Sequence, residues 1–299
     1  MGAEPLQGGR LYIIVAASQK GGSGKTTLSG HLAVEASRAG AGPVALIDTD
    51  PQGSLAHWWN ARQAAEPHFV KVGLLDLSAA LTELDRMGIR IAVIDTPPAI
   101  TQSISHVVAH ADLVLVPTRP SPHDLRAVGA TVDIAERHNK PLIFVVNAAT
   151  ARARITGESA VALSQHGTVA PVTIHHRVDF AASMIDGRTV GEVVPASASA
   201  REISDLWLYI QGRLSRIMHD PALLPEIAPT HLAVSPLQEA EIEEQAALAY
   251  LGNLPPVLPP PVYGGPDRRA AADRRTNAQP INFRERRGPV FGRRSGDQF

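Results

Sequence analysis

Short apolar runs alternate with amphipathic stretches along the chain as far as about residue 218. Residues 11–17, Leu-Tyr-Ile-Ile-Val-Ala-Ala, predict a first strand, and residues 28–39 carry helical spacing. A buried strand over 43–48 and a helix over 54 to about 64 follow, then a short strand at 69–72 and a helix over 77–87. Strands are expected at 89–94, ending in Asp95, at 113–116, and at 142–146, ending in Asn147. Between and after them the spacing predicts helices over about 121–138 and 157–166, a strand near 172–174 and a long helix over 198–217. Near-continuous β-branched strands alternating with helices predict an α/β fold, a mostly parallel sheet flanked by helices on both faces. Ligand residues in such sheets gather at the carboxyl ends of the strands, where Asp48, Asp95 and Asn147 fall.

The pattern fails after residue 219. Prolines recur from Pro221 to Pro261, and only 237–251 reads as a helix. Charge divides the chain in the same places. Residues 1–219 hold 19 basic and 19 acidic side chains, residues 220–265 hold six acids and no Lys or Arg, and residues 266–299 hold nine arginines against four acids. The expected organisation is an arm at 1–10, a folded domain at 11–219, an acidic Pro-rich connector at 220–265 and an Arg-rich, disorder-prone tail at 266–299. That low-complexity extension suits phosphate contacts that read no sequence, or merely keeps the chain in solution. Helix 237–251 is acidic, so anionic lipid repels it and no membrane partner is expected. The chain has no cysteine, which excludes disulfides, Cys-based zinc sites and iron–sulfur clusters. No apolar run approaches the length of a membrane span, and residues 1–10 lack the regions of a signal peptide, so a cytoplasmic protein is expected.

Candidate chemistry begins directly after the first strand, at Gln19-Lys20-Gly21-Gly22-Ser23-Gly24-Lys25-Thr26-Thr27. A glycine-rich loop between a strand and a helix turns successive backbone N–H groups into one concavity and presents the positive helix end to an anion, here the phosphates of a nucleotide. Lys25 has the reach for the β- and γ-phosphates, and the Thr26 hydroxyl is placed for Mg²⁺. Asp48-Thr49-Asp50-Pro51-Gln52-Gly53-Ser54 and Asp95-Thr96-Pro97-Pro98 each follow a strand. A single such acid is often just a helix cap; two of them downstream of a phosphate loop read as holders of Mg²⁺, directly or through water. The architecture is therefore expected to be of P-loop NTPase type.

The loop departs from the usual pattern, with Gln19 where the first glycine stands and an extra Lys20 beside it. This Lys-Gly-Gly-x-Gly-Lys-Thr-Thr form resembles the deviant Walker A loop of the ParA/MinD-type ATPases. Asp-x-Asp-Pro-Gln-Gly-Ser and Asp-Thr-Pro-Pro are similar to the second and third motifs of ParA partition ATPases, and Trp58 with Arg62 resembles an extension of the small plasmid-type subgroup. Arg119-Pro120-Ser121-Pro122, Arg177 and Gly187-Arg188-Thr189-Val190 are softer matches. The resemblance covers roughly 11–215 and implies specific roles. Lys20 would reach the nucleotide of the other subunit in a homodimer, and Asp50 would orient the attacking water. Asp48 would support the Mg²⁺ shell, Asp95 would be the Walker B acid and Asn147 would contact the base. With only about ten residues before the first strand, no N-terminal DNA-binding domain is expected.

The activity implied is slow ATP hydrolysis, stimulated by a small partner or adaptor protein, in a dimerisation switch that partitions plasmid or chromosomal DNA. Non-specific DNA would meet Arg188, Arg213, Arg216 and the tail, which would associate the ATP state with the nucleoid. A second reading is positioning of a protein complex such as chemoreceptor, division or conjugation machinery; a metabolic ligase or kinase finds no substrate motif. Arg119 and Arg188 also read as solvated surface charges, and core packing is expected for at least one of Trp58 and Trp59. His175 and His176 are adjacent on an extended segment and point to opposite faces, which argues against a shared metal.

Overall fold

The computed structural model describes residues 10–98 and 102–219; the connector, helix 237–251 and the Arg-rich tail lie outside the described residues. Seven strands form one sheet: β1 (Tyr12–Ala16), β2 (Val44–Asp48), β3 (His68–Lys71), β4 (Ile91–Asp95), β5 (Leu113–Thr118), β6 (Leu142–Val146) and β7 (Thr168–Val169). They lie in the order β3-β2-β4-β1-β5-β6-β7, and every pairing is parallel. The ten α-helices of the described residues are α1 (Lys25–Arg38), α2 (Ser54–Ala61), α3 (Leu77–Arg86), α4 (Gln102–Ala109), α5 (Pro122–Ala127), α6 (Gly129–Arg137), α7 (Arg154–Ser164), α8 (Val178–Met184), α9 (Val190–Val193) and α10 (Ala198–His219).

Side chains on a strand alternate between faces, and each central strand feeds two cores. Ile14, Leu46, Val93, Leu115 and Val145 pack under α1, α2, α8, α9 and α10. Val15, Ile47, Ile94, Val114 and Phe144 pack under α3, α4, α6 and α7. Burial on both faces is why these strands read as unbroken apolar runs. The parallel order brings the carboxyl ends of β1, β2 and β4 side by side, with Ala16 opposite Asp95 and Asp48 opposite Asp95.

The structure corrects several boundaries. Helix α1 starts at Lys25, so the last residues of the phosphate loop are its first turn. The helix expected over 121–138 is two helices meeting at Val128, which keeps helical dihedrals (−73°, −30°), with Gly129, a weak helix former, at the joint. The strand expected near 172–174 lies earlier, at Thr168–Val169, and Pro171, which has no N–H to donate, interrupts it. Pairing resumes at Ile174, which donates to the Val146 carbonyl, and at the Ala149–His175 bridge. Helices α4, α8 and α9 were not anticipated; α8 and α9 are too short to show a helical period. Among the described residues no helix is long and apolar enough to cross a membrane.

Candidate nucleotide site

The turn after β1 is shaped by two glycines. Gly22 (φ 75°) and Gly24 (φ 100°) take the left-handed conformation that costs other residues. At Gly24 a side chain is also excluded by space, because the Asn147 amide nitrogen stands 2.1 Å from where a Cβ would be. That nitrogen donates to the Ser23 carbonyl at 2.7 Å. Asn147 therefore braces the loop from the end of β6. Lys25 is buried and donates to the Ser18 and Lys20 carbonyls at 3.0 and 3.4 Å, so the loop folds around its ammonium. Burial lowers its pKa, while Asp95 and Asp50 pull the other way. Gly21, Gly22 and Lys20 are exposed on the outer side of the loop, and Thr27 is half-buried on the first turn of α1.

Thr26 and Asp95 meet on the floor of the site. The Thr26 hydroxyl donates to Asp95 Oδ2 at 2.6 Å, whereas Asp95 Oδ1 is buried with no partner. Burial drives the Asp95 pKa up to about 7, against the pull of Thr26 and Lys25 and with the help of Asp48 and Asp50. Two threonines not singled out from the sequence stitch this floor together. Thr49 donates to the Asp95 carbonyl and Thr96 to the Ala16 carbonyl. Each directly follows a strand-end aspartate, a signal available in the sequence.

The two acids of the second motif differ. Asp48 is fully buried, and its two oxygens accept backbone N–H groups from Asp50 and Ala56, each at 3.0 Å. It clamps the loop and accepts from the first turn of α2. Burial raises its pKa despite these bonds. Asp50 lines the cleft, its backbone held by Asp48 and its Oδ1 accepting from Gln52 N–H at 2.9 Å.

Ser54, Trp58 and Arg62 recur four residues apart on one side of α2. Trp58 Nε1 donates to the Arg188 carbonyl. Arg62, only 4% exposed, donates to the Gly187 carbonyl and forms a two-bond pair with Glu192 at 2.7 and 2.9 Å. Burial opposes ionisation of Glu192, but Arg62 and Thr189 outweigh it and hold its pKa low. Gly187 presses its backbone on Arg62, where a Cβ would come within 2.2 Å of the Arg62 nitrogen. This clamp joins the helix that follows Asp50 to the segment carrying Arg188. Trp59, the second ring, stacks on Phe69.

Of the arginines expected at DNA, Arg188 is exposed and paired with Asp186, Arg216 is exposed, and Arg213 is half-buried with its Nε unpartnered. Arg177 is tied by two bonds to Glu202, which also accepts from the His175 ring and backbone. Among the described residues no group of three or more His, Asp or Glu is placed to hold a metal ion.

The loop, floor and α2 enclose a cleft of about 690 Å³, open to solvent, whose lining includes Lys25, Thr26, Asp50, Trp58 and Arg119. It has the size of a small-molecule site. Mg²⁺ takes hard oxygen ligands and keeps several of them as water, so few need come from the protein. The orphaned Asp95 oxygen, unwilling to ionise alone, and the adjacent Thr26 hydroxyl fit such a cation.

Residues 14–190 match the CobQ/CobB/MinD/ParA nucleotide binding domain. The chain belongs to this family. The ParA/MinD proteins within it are P-loop ATPases. The chain is 26% identical over 202 residues to the maintenance of carboxysome distribution protein A of Halothiobacillus neapolitanus, covering 64% of this chain and 93% of that protein. It is 33% identical over 124 residues to protein ParA of Rhizobium radiobacter, covering 41% of this chain and 53% of that protein. The fold superposes on the ATP complex of a substituted McdA from Cyanothece with a TM-score of 0.58 at 17% identity, over 68% of this chain and 97% of that one.

Proposed function

We propose that this ParA/MinD-type protein is an ATP-dependent dimerisation switch that hydrolyses ATP slowly until a partner protein accelerates it. The observation that carries the reading is the floor of the cleft, where Lys25, Thr26 and the half-satisfied Asp95 converge beneath a glycine loop. The loop N–H groups and Lys25 bind the phosphates. Thr26 and Asp95 would hold Mg²⁺, which would supply positive charge against the phosphates. Asp50, fixed through Asp48, orients the attacking water on the γ-phosphate. Lys20, exposed at the loop's edge, reaches the nucleotide of the second subunit, and Asn147 borders the base. Catalysis is then positioning and electrostatic stabilisation rather than covalent chemistry.

In this reading the ATP dimer binds non-specific DNA through Arg188, Arg213 and Arg216, with the tail adding contacts, and releases it after hydrolysis. The cargo is plasmid or chromosomal DNA, or a protein complex. The curated relatives include carboxysome distribution proteins as well as ParA proteins, which supports the second cargo beside the first. Both cargoes use the same switch.

The experiment is binding to non-specific duplex DNA with ATP-Mg²⁺, ADP-Mg²⁺ or no nucleotide across a salt series, with dimerisation followed by light scattering. Wild type, Lys20→Ala and a chain ending at residue 219 run side by side. ATP-dependent, salt-sensitive binding that Lys20→Ala loses is the expected result. Absence of ATP-induced dimers would reject the switch, while dimers that bind no DNA would reject the DNA matrix and leave protein positioning. Deleting residues 220–299 separates the cargoes further: lost localisation with intact DNA binding marks the tail as a docking module.

A further inference from the structure

Opposite Lys25, a second cation borders the glycine loop. Arg119 is the residue after β5, and its guanidinium nitrogens and carbon lie 3.7–3.9 Å from where a Cβ on Gly22 would stand. The backbone there is held on both sides. The Thr118 carbonyl accepts the Asn147 N–H at 2.9 Å, and the Arg119 carbonyl accepts the Ser121 N–H at 2.7 Å. Ser121 in turn caps α5 by accepting the Asp124 N–H. Strands β5 and β6 therefore present two polar side chains to the loop's two left-handed glycines, Asn147 against Gly24 and Arg119 against Gly22.

The two do different things. Asn147 is buried and spends its amide on the Ser23 carbonyl. Arg119 is exposed and lines the cleft, yet no hydrogen bond or ion pair to its guanidinium is found among the described residues, although Arg62, Arg177 and Arg188 each hold a carboxylate. A guanidinium is always charged and offers five donors in a planar fork. Beside it, the exposed Gly21 and Gly22 form the outer turn of a loop built to surround an anion.

We propose that Arg119 binds the polyphosphate of the nucleotide held by its own subunit, closing over the loop as a second cationic side chain opposite Lys25. The proposal rests on the nucleotide reading above. Arg119 is then a substrate-contacting residue on the side of the loop that Lys25, turned inward, does not serve.

The test is the dissociation constants for fluorescent ATP and ADP analogues with Mg²⁺, measured by titration of wild type, Arg119→Ala, Arg119→Lys and Lys25→Ala. Each variant is also made in a Lys20→Ala background, so that the dimer is removed from the comparison. Hydrogen bonds between charged groups are worth about 1.5–3 kcal/mol, so Arg119→Ala is expected to weaken binding roughly tenfold to a hundredfold. Arg119→Lys should recover part of the loss, keeping the charge without the fork. Loss for ATP alone puts the contact on the γ-phosphate, and equal loss for ADP puts it on the β-phosphate. Because the guanidinium has no hydrogen bond or ion pair among the described residues, melting should be unchanged.

Unaltered ATP and ADP affinity in Arg119→Ala overturns the proposal and leaves the nucleotide reading intact. A loss seen only where dimers form also overturns it, since the contact is then to the partner subunit's nucleotide. Wild type that binds neither nucleotide, or Lys25→Ala that binds as wild type does, overturns the nucleotide reading and this proposal with it.

Discussion

The floor of the cleft and its α2 wall are both buried and both charged, but they are finished to different degrees. In the wall, Arg62 and Glu192 satisfy one another with two bonds, Gly187 supplies a carbonyl and Thr189 adds a capping box. On the floor, Asp95 keeps one oxygen without a partner and a pKa near 7. Burying a polar group without a partner costs roughly 1–3 kcal/mol. Within one sheet edge, the groups left incomplete are those a ligand would complete, and the completed groups hold them in position.

The sharpest way to break the comparison is to neutralise the floor. Asp95→Asn is expected to abolish partner-stimulated hydrolysis while raising the stability of the ligand-free protein at pH 8 by about 1–3 kcal/mol, because the variant no longer has to ionise a buried carboxyl. The sign follows from the shift. With a folded pKa of about 7 against 3.8, the proton-linked stability of Asp95 is complete below about pH 4 and is lost as pH rises through 7. Urea titrations at pH 6 and pH 8 should show that slope in wild type and not in the variant. A less stable Asp95→Asn at pH 8 would mean the floor is as complete as the wall.

The wall should respond in the opposite way, with stability lost at every pH. Gly187→Ala adds a Cβ against the Arg62 backbone at φ 77°, a strain and overlap worth about 3 kcal/mol or more. Arg62→Ala should cost about 2–3 kcal/mol, below the roughly 3–5 typical of fully buried pairs because Glu192 keeps 22% exposure. Thermal melts measure both, and ATP binding should change far less than stability in Arg62→Ala. A comparable loss of nucleotide affinity would place Arg62 in the site itself.

The smallest effect concerns His31, which links the two regions. Its Nδ1 is 2.8 Å from the Thr27 carbonyl, Phe180 packs edge-on against its ring, and its Nε2 is 3.5 Å from the Ser183 hydroxyl on α8. Burial pushes its pKa down to about 4, against the pull of Thr27 and Glu192. A depressed imidazole contributes stability that is present above the unfolded value of 6.5 and lost as pH falls toward 4, at most about 3 kcal/mol. His31→Phe should flatten that acid limb in denaturant titrations between pH 6.5 and 4. An unchanged limb would assign the acid loss to other groups.

Asp50 and Asp95 were legible because each lies within two residues of a strand end, and the loop from Lys20 to Thr27 because it opens four residues after β1. The backbone needs of a phosphate loop also force glycine and lysine into a short window. The different fates of Asp48 and Asp95 were not legible, since both read as an acid after an apolar strand. Asp48 is committed by the N–H groups of Asp50 and Ala56, and Asp95 by its place in the middle of the sheet. The spacing of Trp58 and Arg62 was visible, but its purpose was not, because the clamp joins α2 to residues some 130 positions away.

By itself the sequence determined the α/β class, the phosphate loop and the order of the acids, because hydrophobic period and local turn chemistry act over neighbouring residues. Only the tertiary structure decided which oxygen of Asp95 stays open, which glycine Asn147 packs against and, among the described residues, which carboxylates neutralise Arg62 and Arg188 while none reaches Arg119. Those are properties of side chains brought together by parallel crossovers, and a crossover places distant segments within hydrogen-bonding range without any mark in the spacing of either.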